Sequence, residues 1–328
     1  MRAPEFWSGG GGVAPLLLSP ISAIYAAATA RRMSRPGWQA PVPVICCGNA
    51  TAGGSGKTTL ALDLGRRLGN RSVAAHFLLR GYGGRLKGPA RVDPAQHDSQ
   101  AVGDEALLLA AERPTWVAAD RAAGAQMAIA AGAQAIVMDD GLQNPTLEKD
   151  LSLLCIDGSY GFGNGRVIPS GPLREPVAAA AARCQAAVLI GRDACNALAC
   201  LPPGLPVLRA RLVPGPEADL LRGQPVFAFA GIANPRKFFA SLQEAGAVLA
   251  GRQAYADHYP FDAGDMRELL AEAERLRALP VTTKKDWVRL PAAFRNRVTV
   301  LTIRLEWEEP AAIEMLLDPL AARVPVPA

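Results

Sequence analysis

Histidine is scarce in this chain. There are 3 histidines in 328 residues, and 6 cysteines, none of them in a C-x-x-C pair. No Cys/His cluster has the spacing of a structural zinc site, so a zinc-built fold is excluded. Cys46, Cys47 and Cys155 lie in apolar runs and read as buried packing residues in a reducing compartment. Charged residues make up only 20% of the chain and hydrophobic ones 50%, which excludes a disordered or solvating polypeptide. The formal charge of +5 is a modest excess that favours anionic partners such as phosphates or lipid head groups.

What is present is concentrated between Val42 and Leu62. Val44, Ile45, Cys46 and Cys47 read as a short buried strand. Thr51-Ala52-Gly53-Gly54-Ser55-Gly56-Lys57-Thr58-Thr59 follows, and Leu60, Leu62, Leu64 and Leu68 continue it as a helix. Strand, glycine-rich loop, Lys-Thr and helix make a phosphate-binding P-loop, with Thr51 in place of the first glycine. The glycines let backbone N–H groups approach phosphate oxygens, and the helix start adds free donors and partial positive charge. Lys57 is suited to the β- and γ-phosphates of ATP, and Thr58 to Mg²⁺.

Before the P-loop, residues 13–30 carry no charge, and Arg31, Arg32 and Arg35 follow. A cleaved signal peptide is disfavoured because the basic cluster comes after the apolar run. A full span is marginal with two prolines; an interfacial helix with arginines at the head groups and a helix packed on the protein both remain open.

After it, apolar runs alternate with helical segments, which predicts a doubly wound parallel sheet. The run 72–81 ends in Arg80-Gly81-Tyr82-Gly83-Gly84, at a strand end where Arg80 either contacts phosphate or is simply solvated. Asp104 and Glu105 open a helix, as dipole partners or as carboxylates for chemistry. The run from Ala135 ends in Asp139-Asp140-Gly141. Two adjacent carboxylates at a strand end are costly without a cation, so this pair is the expected Mg²⁺ partner of Thr58; a turn before glycine is the alternative. Residues 161–176 form a long Gly/Pro-rich loop containing Arg174 and Glu175.

Proline becomes frequent around 195–225, and a boundary is expected there. The expected organisation is an apolar segment over 1–35, a P-loop core over 36–205, and a smaller α/β unit over 206–328 whose last strand spans Val298 to Leu305. His76 reads as a core histidine. His258 sits beside Asp257 on a loop, either as a helix cap or as a base for a hydroxyl.

Further segments complete an ordered series: Val102-Gly-Asp-Glu105, Asp139-Asp-Gly-Leu-Gln143, Gly163-Asn-Gly-Arg166, Pro169-x-Gly-Pro-Leu-Arg-Glu-Pro176, Asp257-His258 and Thr283-Lys-Lys-Asp286. With the P-loop and Arg80-Gly-Tyr-Gly-Gly84, the series resembles the tetraacyldisaccharide 4'-kinase (lipid A 4'-kinase) family over nearly the whole chain. The resemblance implies an α/β fold of the P-loop NTPase type with a smaller C-terminal α/β subdomain and an N-terminal apolar helix. It implies γ-phosphate transfer from ATP, with Mg²⁺, to the 4'-hydroxyl of a tetraacyldisaccharide 1-phosphate at the cytoplasmic face of the bacterial inner membrane. A glycolipid and the membrane surface are the implied partners, with no nucleic acid. Asp104 and His258 match the family's catalytic pair, with Lys57 on the triphosphate; residues 51–59 hold ATP, Thr58, Asp139 and Asp140 hold the metal, and Arg80, Arg174 and Glu175 lie toward substrate. The rivals are a membrane-associated ATPase switch, against which Ala52 speaks because many such proteins have Lys there, and a P-loop kinase of a small metabolite.

Overall fold

The chain forms thirteen strands, the central ones unbroken apolar runs, among the described residues of the structure, a computed structural model that describes residues 4–9, 12–232 and 234–324. They are β1 (Val44–Gly48), β2 (Ala75–Leu79), β3 (Ala90–Arg91), β4 (Thr115–Val117), β5 (Ala135–Asp139), β6 (Leu151–Asp157) and β7 (Ala186–Ile190). Then come β8 (Val207–Pro214), β9 (Pro225–Ala230), β10 (Val248–Ala254), β11 (Leu279–Thr283), β12 (Thr299–Leu301) and β13 (Ile303–Trp307). Nine form one sheet in the order β13-β8-β7-β6-β1-β5-β2-β4-β3, and four form a second in the order β10-β9-β11-β12.

The first sheet is parallel except at its edges, where β3 and β13 run antiparallel to β4 and β8. Its central strands are buried on both faces, which is why they read as unbroken apolar runs. Side chains still alternate. Ile45 and Cys47 face a core shared with Leu60, Leu64 and Leu68 of the helix Lys57–Asn70. Val44 and Cys46 face the opposite core with Leu78, Met138 and Ala125. Each leucine so buried contributes about 1.5–3 kcal/mol.

β1 lies between β5 and β6. The chain winds outward to β2 on one side and crosses to β6 on the other. The crevice at the carboxyl ends of β1 and β5 is therefore the switch point at which open α/β sheets bind ligands.

The C-terminal boundary differs from the sequence expectation. β8 lies beyond residue 205 yet joins the first sheet beside β7. The expected strand 298–305 is two strands. β12 pairs with β11 in the second sheet, and β13 pairs with β8 in the first, with Ile303 opposite Pro214. Thr302 is the break, because its carbonyl accepts Gly215 N–H at 2.9 Å and its own N–H is taken by the Glu217 carboxylate. The chain thus leaves the first sheet at 214 and re-enters it at 303, two crossings side by side. The helix Pro310–Ala321 then buries Ile313, Leu317 and Leu320 in the P-loop core. Trp307 Nε1 donates to Asp63 Oδ2 of the P-loop helix at 2.8 Å.

The N-terminal helix Val13–Met33 is apolar on its outside. Leu17 and Ile24 are 73% and 71% exposed. Its buried residues are Pro15, Ser22 and Thr29, spaced by seven along one stripe. Ser22 Oγ donates to Ser170 Oγ at 2.8 Å and accepts Ser170 N–H at 3.1 Å. Trp7 Nε1 donates to Pro169 O, and Asn164 Nδ2 donates to Phe6 O. The helix therefore docks through small and polar residues onto the 163–170 loop and leaves its hydrophobic side unpartnered.

Candidate active site

The P-loop leaves β1 at Gly48 and enters its helix at Lys57. Gly56 is the N-cap, with φ +82, and a Cβ there would lie 2.6 Å from Ile190 Cδ1. The backbone angle favours glycine; the nearby Ile190 methyl is a side-chain end that can shift. Lys57 is buried; its Nζ donates to Gly53 O at 3.3 Å and stands 3.8 Å from Asp140 Oδ1. Thr58 Oγ1 donates to Asp139 Oδ2 at 2.8 Å, so β5 brings the expected carboxylate directly opposite the P-loop hydroxyl.

The two adjacent carboxylates are held differently. Burial pushes the Asp139 carboxyl up to about 6, against the opposing pull of Thr58 and Lys57; Asp140 and Glu105 add repulsion. Burial also opposes ionisation of Asp140, but Lys57 and Arg174 outweigh it and hold that carboxyl below its ordinary value. Arg174 Nη1 lies 2.6 Å from Asp140 Oδ1. Three buried oxygens at this crevice have no protein partner: Asn49 Oδ1, Ser55 Oγ and Asp139 Oδ1. Buried polar atoms are normally paired, so these orphans fit a ligand that brings its own donors or a cation. Among the described residues there is no three-carboxylate or His/Cys cage. One hydroxyl with one or two carboxylates is the protein share of a Mg²⁺ site completed by phosphate and water.

A second constellation joins the two sheets. Asp104 is the first residue of the helix Asp104–Ala110, and Gly103 before it has φ +87. A Cβ on Gly103 would stand 2.5 Å from Tyr82 O, so the 80–84 loop packs directly on the start of the Asp104 helix. Asp104 is buried, and its Oδ2 lies 2.6 Å from His258 Nδ1. His258 comes from the loop after β10 and holds a left-handed backbone at φ +60, an uncommon conformation for a residue with a Cβ. Its N–H donates to Gly231 O at 3.0 Å. The residues are 154 apart in sequence and meet only because the second sheet folds over the first.

The sequence model described as Tetraacyldisaccharide-1-P 4'-kinase matches residues 14–321. The chain belongs to the tetraacyldisaccharide-1-P 4'-kinase family. A Tetraacyldisaccharide 4'-kinase of Gluconacetobacter diazotrophicus is 56% identical over 319 residues, 97% of this chain and 98% of that protein. One from Rhodospirillum rubrum is 53% identical over 325 residues, 98% of each chain. The crystal structure of LpxK from Aquifex aeolicus in complex with ATP matches with a TM-score of 0.74 at 23% identity, covering 93% of this chain and 99% of that one, and so shares the fold.

Within this 4'-kinase family fold, the expected residues part company. Lys57, Thr58, Asp139, Asp140 and Arg174 converge on one crevice. Thr51 and Ala52 are turned to a different task. Thr51 bridges to Leu173, and Ala52 N–H donates to Pro172 O at 2.7 Å, which docks the P-loop on the 172–174 segment. Thr59 continues the helix. Arg80 is exposed at the end of β2. Glu175 points inward rather than toward an acceptor. It is 3% exposed, receives Arg183 Nη2 on both oxygens at 2.6 and 2.7 Å, and accepts Gln143 Nε2 at 2.8 Å. Gln143 in turn donates to Asn49 O, so Glu175 braces the exit of β1.

Two arginines were passed over in the sequence. Arg121, after the strand end Ala118-Ala119, is 3% exposed; Nη1 donates to Ala118 O at 2.5 Å, and Nε has no hydrogen-bond partner. Burial pulls its guanidinium down to about 10. Arg289 lies against Asp104. Arg121 directly follows Asp120, and Arg289 lies three residues after Asp286 in a charged stretch, patterns shared with many surface helices.

Proposed function

We propose that this protein transfers the γ-phosphate of ATP to the 4'-hydroxyl of a tetraacyldisaccharide 1-phosphate, with the chemistry divided between the two constellations. The observation that carries the reading is the Asp104–His258 contact, a buried carboxylate on an exposed imidazole, set in a family fold whose P-loop already faces Asp139.

The N–H groups from Gly53 to Thr58 and the Lys57 ammonium hold the triphosphate; Ala52 is excluded because its N–H is already used. Thr58 and Asp139, with Asp140 beside them, are the residues that would hold Mg²⁺. When bound, that ion supplies charge neutralisation between the phosphates. Arg174 keeps Asp140 in place. Asp104 and His258 orient the sugar hydroxyl and accept its proton, as one coupled pair. In this reading the two units close on the bound substrate and keep water from the phosphoryl group.

The N-terminal helix is the membrane contact in this reading. It is 21 residues long, its most apolar 18-residue window has a mean hydropathy of 1.6, and Arg31, Arg32 and Arg35 stand at its end for lipid phosphates. Keeping the acyl chains in the bilayer avoids about 0.8 kcal/mol for each CH₂ exposed to water. Use of ATP supports a catalytic side at the cytoplasmic face.

The test is transfer of labelled γ-phosphate from ATP to tetraacyldisaccharide 1-phosphate in detergent micelles, for wild type and Asp104→Ala. Transfer by wild type that collapses in the variant, with ATP binding retained, supports the assignment. A folded, ATP-binding wild type that hydrolyses ATP without lipid and transfers nothing would refute it.

A further inference from the structure

A guanidinium also lies on the carboxylate that His258 uses. Arg289 follows the short helix Lys284–Trp287, and its Nε lies 3.1 Å from Asp104 Oδ2. Its Nη1 donates to Gly231 O at 3.0 Å and stands 3.3 Å from Asp286 Oδ1. Asp286 is fully buried; Oδ1 accepts Gly231 N–H at 3.0 Å and Oδ2 accepts Thr283 Oγ1 at 2.7 Å. The same Gly231 carbonyl receives the His258 N–H. One peptide of the second sheet unit therefore registers both groups that touch Asp104.

The Arg289 side chain is 2% exposed, too deep to meet a sugar or phosphate. The neighbouring pairs between the units, Lys285 with Glu105 and Lys284 with Glu112, are more open and longer, at 3.4 and 4.0 Å. Such exposed pairs hold geometry weakly, whereas the Arg289 guanidinium is buried, anchored by its hydrogen bond to Gly231 O, and meets Asp104 through Nε alone, as a close charge contact without hydrogen-bond alignment. We propose that Arg289 is a positioning residue for phosphoryl transfer: braced by Asp286 and Gly231, it holds the Asp104 carboxylate so that Oδ2 meets His258 Nδ1. It also makes the acceptor-side pair depend on correct seating of the second unit, since Asp104 alone comes from the first. The inference rests on the reading of Asp104 and His258 as the acceptor-side pair.

The experiment compares Arg289→Gln, Arg289→Lys, His258→Ala, Asp104→Ala and the doubles Arg289→Gln/His258→Ala and Arg289→Lys/His258→Ala, all in the full chain. Steady-state transfer in micelles is read together with ATP-dependent thermal shift. A misplacement near 1 Å costs about 100-fold, so kcat of Arg289→Gln is expected to fall roughly 10- to 100-fold, with KM for ATP within about twofold. Lysine keeps the charge but not the planar guanidinium anchored on Gly231 O, and is expected to recover part of the loss. Either double variant is expected to be no slower than His258→Ala alone, because Arg289 acts through that pair. Losses that multiply in the doubles, or near-wild-type kcat in Arg289→Gln, would overturn the proposal. If Arg289→Gln fails to fold, the lysine cycle decides by the same criterion. Wild-type kcat in both Asp104→Ala and His258→Ala would instead bring down the underlying reading, and the positioning role with it.

Discussion

Replacing Asp139 by asparagine separates the cost of the site from its use. In the metal-free protein Asp139 is 3% exposed, and burial lifts its carboxyl from 3.8 to about 6. A folded-state value above the unfolded one means that folding favours the protonated form. The penalty is absent below pH 3.8, grows as pH rises, and is complete above pH 6. At 1.36 kcal/mol per pH unit, the rise corresponds to about 3 kcal/mol of stability withheld at neutral pH. Asparagine removes this titration but keeps an acceptor for Thr58. Its NH₂ group would meet the position of Asp139 Oδ1, which has no partner, at a cost of about 1–3 kcal/mol that does not vary with pH. The absolute effect at one pH is thus a small difference of two terms, while its change with pH isolates the carboxylate. Melting in EDTA should show Asp139→Asn gaining about 2–3 kcal/mol on wild type between pH 4 and pH 8, or about 5 °C for a chain of this size. Phosphoryl transfer at pH 8 should fall at least about 100-fold in the same variant. A difference in melting temperature that stays flat across this range would refute the account of Asp139 as a carboxylate destabilised by burial.

Three more outcomes follow from contacts already described. Glu175→Gln should melt about 5 °C lower, because Arg183 loses a buried partner worth about 3 kcal/mol, with KM for the glycolipid little changed; an unchanged melt with raised KM would put Glu175 on the substrate instead. Gly56→Ala should abolish the ATP-dependent thermal shift. Adding Ile190→Ala should not restore it, since the left-handed backbone still costs about 1–2 kcal/mol for alanine. Leu17→Asp/Ile24→Asp should move the protein from pellet to supernatant in sedimentation with anionic vesicles, and retained binding would show that the helix is not the membrane contact.

The P-loop, β5 with its aspartates and the long 161–176 loop were legible because each is a local pattern. A strand buried on both faces, a glycine required by a positive φ and a lysine at a helix start all leave their marks within a few residues. The division of 298–305 was not legible. Its apolar residues satisfy one strand as well as two, and the break at Thr302 depends on Gly215 and Glu217, far away in sequence. The placement of β8 failed for the same reason, since a strand does not record which sheet it joins. The family resemblance puts Glu175 toward substrate, on a loop expected near the active site; Arg183 and Gln143, supplied by other segments, turn it in.

At one end of the proposed reaction, sequence alone marked the candidate phosphate cradle and the carboxylates opposite it, because the helix start, the glycines and the strand-end aspartates are contiguous or nearly so. Its motif series also pointed to the family. Tertiary structure decided the other end. Asp104, His258, Arg289 and Asp286 come from two sheet units and converge on the Asp104 carboxylate and the Gly231 peptide. Their meeting is set by the packing of the second unit on the first, a long-range balance of burial and ion pairing that local spacing does not encode.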